Sequence, residues 1–161
     1  MCGIFGIIAK EGAACDSKTF HETILNLFKF SEPRGREAGG LVIVSGDEAK
    51  VFKRPIKPAD MLKTAEFKSF FESSIDLYQT DEQGRALVSF AAIGHCRLVF
   101  SGSETVVGNN QPVISEHCIG VHNGWITNDE EIWAEHNDII RSLDTDTEVA
   151  YRLIDRYVEK T

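Results

Sequence analysis

Residues 1–8 read MCGIFGII, and how Cys2 is read decides which fold follows. The run from Gly3 to Ala9 is short, apolar and rich in β-branched and aromatic residues, and KEGAACD after it reads as a turn, so 3–9 is a buried strand. Cys2 then has two readings. It is the first small apolar residue of an edge strand, since free cysteine is among the most buried residue types. Alternatively Met1 is removed, as a small second side chain permits, and Cys2 carries a free α-amine beside its thiol, groups that in model compounds titrate at about 7.7–8.0 and about 8.5. One residue would then supply both nucleophile and base. MCG alone leaves both open.

Working outward, a helix is expected from Ser17, with Phe20, Ile24, Leu27 and Phe28 on one face. RGREAGG (34–40) breaks that pattern, and LVIVSGDEAKVFKR reads as a hairpin turning at SGDE. Met61, Leu62, Ala65, Phe70 and Phe71 suggest one or two short helices between Pro58 and Leu77. ALVSFAAIGHCRLVF (86–100) is another strand, followed by a polar loop, SGSETVVGNNQPV. CIGVHNGWI (118–126) predicts a hairpin turning at Asn123-Gly124. Asn128 with Glu131, and Thr145 with Glu148, each predict a capping box, the second opening a helix with Val149, Leu153, Ile154, Tyr157 and Val158 on its apolar face. The order of elements is α+β rather than a regular βαβ array.

The chain has 161 residues, enough for one hydrophobic core, with 42% hydrophobic and 26% charged residues. A formal charge of −8 argues against a general affinity for nucleic acid or anionic membrane, and no apolar run reaches the length of a membrane span. The first residues lack the basic start and long apolar stretch of a secretory signal, so the cytoplasm is the expected location. Cys2, Cys15, Cys96 and Cys118 form no C-x-x-C pair, and the histidines show no zinc spacing, so neither a metal nor disulfides are expected.

Several short stretches could carry chemistry. Asn123-Gly124 is either a two-residue turn or an oxyanion hole made of a side-chain amide and a backbone N–H. Arg97, at the end of an apolar strand next to His95, is either internally paired or a fork for a substrate carboxylate. Asp144, Asp146 and Glu148 either complement a helix dipole or offer a carboxylate to a substrate ammonium. RGREAGG lacks the Gly-Lys-Ser/Thr of a phosphate loop, and its glycines suit close backbone approach.

The order CGIFGI, RGREAGGL, GHCRL, NNQPV, VHNG and DTDTEV, spanning residues 2 to about 155, resembles the class II glutamine amidotransferases, whose glutaminase domain is an N-terminal nucleophile hydrolase. The resemblance implies Cys2 as nucleophile and Asn123 with Gly124 as oxyanion hole. It implies Arg97 for the glutamine α-carboxylate, Asp146 for its α-ammonium, and Arg34 and Gly35 as a supporting wall. It implies glutamine hydrolysis through a thioester, no cofactor, and ammonia passed to a partner synthase domain or subunit. The implied fold is an αββα sandwich, of which residues 1–161 would be a glutaminase domain short of its C-terminal strands. An open sheet edge there would invite docking or a homo-oligomer. Two departures are Glu37-Ala38 where the family usually shows Asp-Ser, and Leu98 where one branch often has Trp. Two other functions fit the same residues. One is an amidohydrolase for another amide, against which Arg97 and Asp146 argue. The other is a non-catalytic relative that senses glutamine or scaffolds a synthase, with Met1 retained.

Overall fold

Alternation along β1 (Gly3–Ala9) turns Phe5 and Ala9 inward and Ile4 and Ile8 outward, and this two-residue period organises the molecule. The computed structural model describes residues 1–99 and 101–159, so Phe100, the expected last residue of the 86–100 strand, lies outside the described residues. β2 (Ala38–Ser45), β3 (Glu48–Arg54) and β4 (Phe90–Arg97) join β1 in an antiparallel sheet of order β1-β4-β2-β3. The β2–β3 hairpin turns at Gly46-Asp47, inside the expected SGDE, where Gly46 takes φ +56° as the first residue of a two-residue loop.

One face of the sheet carries Phe5, Leu41, Ile43, Phe52, Phe90, Ala92 and Cys96, all buried. Helix α1 (Ser17–Ser31) lays Phe20, Ile24 and Phe28 on it, with ring centroids 4.6 Å apart for Phe5–Phe28 and 4.5 Å for Phe20–Phe90. The region 58–77 gives α2 (Pro58–Met61) and α3 (Ala65–Ile75), which add Met61, Phe67 and Phe71 to the same core. Asp16 caps α1 by accepting from Thr19 N at 2.7 Å, and Thr64 caps α3 through Phe67 N at 3.2 Å.

The opposite face carries Ile4, Ile8, Ile93 and Val44, all exposed, and Ala38, His95 and Arg97, all buried. The loop 101–112 and the segment after β6 cover this second group. β5 (Val113–Ile114) and β6 (Ile119–Gly120) form a small hairpin, followed by α4 (Asp129–Glu135) and α5 (Thr147–Val158). Among the described residues no helix is long and apolar enough to cross a membrane.

Three local expectations fail, each for a tertiary reason. The hairpin at Asn123-Gly124 does not form. The chain turns instead at Ser115–Cys118, where Ser115 N donates to Cys118 O at 2.9 Å. A type I′ turn needs positive φ at both central residues, and neither Asn123 nor Gly124 has it. Neither capping box closes: no side chain caps α4 or α5, and the Glu148 carboxylate accepts from Ser142 N and Leu143 N instead. Glu148 is almost fully buried, so its charge is satisfied by those amides and by Arg152 at 3.2 Å. On α5 only Val149 of the expected apolar face is buried, while Ile154, Tyr157 and Val158 stay exposed.

The loop 101–112 sits directly on the sheet. A Cβ at Gly40 would overlap the Gln111 carbonyl oxygen and come 2.8 Å from Pro112 Cδ. Gly40→Ala therefore has to lift backbone off the sheet, a change expected to destabilise the fold by about 1–3 kcal/mol. Urea unfolding of wild type and variant measures it, and an unchanged midpoint would contradict the packing described.

Candidate active site

Cys2 directly precedes β1 and lies almost fully buried. Its thiol bridges to the chain just past β4, donating to Leu98 O at 3.4 Å and accepting from Leu98 N at 3.3 Å. Its backbone N donates to Asn123 Oδ1 at 3.0 Å. Its carbonyl accepts from Arg34 Nε at 3.0 Å, and a Cβ at the next residue, Gly35, would overlap the Cys96 carbonyl oxygen. From the α1–β2 connection, Arg34 thus holds Cys2 and Gly35 packs on the backbone at the end of β4. Gly124, next to Asn123, is exposed. Met1 is 72% exposed and lines a cleft of about 650 Å³ with Arg34, Arg36, Glu37 and Leu98.

Arg97 follows Cys96, which pairs with Gly3, so its side chain leaves the sheet beside Cys2 on the same face. The guanidinium is buried and held from the loop: Nη1 donates to Asn110 Oδ1 at 2.6 Å, and Nη2 to the carbonyls of Gly102 (2.9 Å) and Ser101. Burial lowers its pKa from the ordinary arginine value, while Cys2 and the carboxylates of Glu104, Glu37 and Asp146 act the other way.

Asp146 is equally buried. Its Oδ2 accepts from Ile126 N at 2.7 Å, which ties the segment after Asn123 to the start of α5. Ser101 stands between the two charged residues: its carbonyl takes Arg97, and its hydroxyl accepts from Asp146 N at 3.4 Å. Cys2, Asn123, Arg97 and Asp146 are thus joined by direct contacts or through one residue. Arg34 holds the Cys2 carbonyl, Gly35 packs against the end of β4, and Gly124 is exposed.

Sequence reasoning gave no role to Ser101, Asn110 or Lys53 and noted Gln111 only as part of a motif. Gln111 Oε1 accepts from His122 N at 2.5 Å, and its Nε2 donates to Thr147 Oγ1 at 3.4 Å. The signal available was Asn109-Asn110-Gln111 itself, three consecutive amides that are all buried. His95 is also buried, and among the described residues neither ring nitrogen has a partner within hydrogen-bond geometry, although the His122 backbone faces the ring. Burial first, then the charge of Arg97, lowers its pKa to about 4.

No family model matches the chain. Among curated proteins it is similar to glutamine–fructose-6-phosphate aminotransferase [isomerizing] of Staphylococcus epidermidis, 32% identical over 160 residues, covering 98% of this chain and 22% of the relative. The protein of that name from Lactiplantibacillus plantarum is 29% identical over 163 residues (99% and 23%), and the one from Caulobacter vibrioides 32% over 157 residues (96% and 22%). The chain thus spans less than a quarter of the length of the relatives it matches. Nearly the whole chain is similar to part of the glutamine–fructose-6-phosphate aminotransferases, in keeping with its motif order, which resembles that of the class II glutamine amidotransferases.

Proposed function

We propose that this chain hydrolyses glutamine to glutamate and ammonia, with Cys2 as the nucleophile once Met1 is removed. The observation that carries this reading is the 3.0 Å hydrogen bond from Cys2 N to Asn123 Oδ1. It joins the first motif of the series to the fifth across 121 residues and fixes the Asn123 amide. With Oδ1 turned to the nitrogen of Cys2, Nδ2 is the donor offered to an oxyanion, alongside the N–H of Gly124.

In the proposed cycle the α-amine of Cys2 takes the thiol proton as Sγ attacks the side-chain carbonyl carbon of glutamine. The tetrahedral oxyanion collapses, the C–N bond breaks, and the amine's proton leaves with the nitrogen as ammonia. Water then attacks the γ-glutamyl thioester, releasing glutamate and restoring the thiol. Arg97 reads the α-carboxylate and Asp146 the α-ammonium, a pair of charges that a simple amide lacks. Arg34 holds Cys2 at its carbonyl and Gly35 lets the chain approach the end of β4, which supports the nucleophile without touching substrate.

The relatives' name pairs glutamine with fructose 6-phosphate. For this chain we assign ammonia release to a partner synthase domain or subunit, with cytoplasmic location. Residues 1–161 act as the glutaminase unit of an αββα sandwich. The exposed Ile4, Ile8, Ile93 and Val44 support that layering, because they leave one sheet face with apolar side chains to cover.

The test is an intact mass before and after treatment with a diazoketone analogue of glutamine. Loss of Met1 and a single adduct on Cys2 is the expected result. Retained Met1 with no adduct would reject the glutaminase reading.

A further inference from the structure

Lys53 lies on edge strand β3, in register with Gly40, His95 and Ile4, so it shares the sheet face that carries Arg97. Its ammonium has three donors, and all three go to the loop 108–112: Gly108 O at 3.0 Å, Asn110 O at 2.6 Å and Pro112 O at 3.0 Å. None of these partners is a carboxylate. An ammonium with no counter-charge among the described residues and a second cation nearby is a poor choice for a generic anchor. Its pKa records the penalty, lowered to about 8 by burial first and then by Arg97.

What the loop does explains the choice. The Asn110 side chain accepts from Arg97 Nη1 and donates back to Glu104 O at 2.7 Å. Gln111 holds the backbone N of His122, the residue before Asn123. The same three carbonyls therefore fix the loop that carries both attachments, one to the arginine and one to the segment bearing Asn123.

We infer that Lys53 is a positioning residue: it gathers the 108–112 carbonyls under one ammonium and so sets Arg97 and the His122–Gly124 segment relative to Cys2. The inference rests on the glutaminase reading for its catalytic meaning, but its structural content stands apart. Lysine suits the task better than arginine, because the carbonyls converge on a point rather than along a planar fork.

Two readouts on the full chain test it in Lys53→Met. In amide hydrogen exchange, the His122 N–H should exchange about tenfold faster or more, the worth of a charge-assisted hydrogen bond, while the Leu41 amide in the central sheet stays within about twofold. In labelling of Cys2, the glutamine diazoketone should react about tenfold more slowly, while iodoacetamide, which needs only the thiol, keeps its rate within about twofold. Unchanged exchange at His122, or equal acceleration at Leu41, overturns the inference. If the wild type takes no diazoketone adduct while His122 responds as described, the glutaminase reading falls and the positioning role stands. Lys53→Gln, too short to span three carbonyls, carries the same exchange criterion if the methionine variant does not fold.

Discussion

Cys2→Ala is expected to lower glutamine hydrolysis by at least about 10³-fold while leaving the fold in place. The loss follows from the chemistry proposed: without Sγ no thioester forms, and the remaining donors at Asn123 and Gly124 have no anion to stabilise. The fold survives because the substitution removes one sulfur atom at the end of β1. The bond from the residue's backbone N to Asn123 does not involve the side chain. The other cysteines are poor substitutes. Cys96 is fully buried, with its thiol pushed up to about 12 by burial first and then by the charges of Glu32 and Cys2. Cys15 and Cys118 lie outside the group joined to Arg97 and Asp146. Ammonia release, read beside the urea midpoint, tests this. Activity within about tenfold of wild type, in a folded variant, would move the nucleophile elsewhere.

The second large effect is on acid stability and belongs to His95. In the folded chain its imidazole stays neutral down to about pH 4, because burial and the neighbouring Arg97 guanidinium oppose a proton there. In the unfolded chain it titrates at about 6.5. Between these two values the unfolded state binds more protons than the folded state, so stability falls as pH falls. The loss from this group is on the order of 3 kcal/mol by pH 4 and then levels off. Urea unfolding at pH 7 and pH 4.5, in wild type and in His95→Leu, isolates it, since carboxylates elsewhere titrate alike in both proteins. The wild type should lose more stability between the two pH values than the variant. Equal losses would mean that His95 is not held neutral. The same proton would set a second cation beside Arg97 and against His122, so acid should also loosen the site.

These effects divide along what the sequence could and could not disclose. β1, α1, the β2–β3 hairpin and the helices between 58 and 77 were legible because their signals are local. Apolar spacing made Phe20, Ile24 and Phe28 one face, and Ser-Gly-Asp-Glu suited a tight turn. The candidate site was legible as a series of motifs, but not as a connected group. Nothing near Asn123 in sequence announces that its amide binds Cys2 rather than shaping a turn, since the partner lies 121 residues away. Glu148 misled in the same way: the spacing from Thr145 fits a capping box, yet burial beside Ser142 and Leu143 offers its carboxylate better donors. Lys53 was hidden most fully. A lysine in a strand ordinarily points to water, and only the packed loop turns three carbonyls toward it.

The separation between Cys2 and Asn123 also sets a clock. β4, Leu98 and Asn123, which pair with β1 and hold the thiol and nitrogen of Cys2, are all synthesised long after it, whereas Arg34, the partner of its carbonyl, follows sooner. At about 5–20 residues per second, translation needs on the order of ten seconds to cover that stretch. For that interval the nitrogen of Cys2 lacks its Asn123 partner, and its bond to Met1 is open to a processing enzyme. Once Asn123 arrives, the same bond adjoins a closed hydrogen-bond network. On the glutaminase reading, the order of synthesis leaves time for Met1 to be removed before that network closes, in addition to the exposure Met1 keeps in the folded chain.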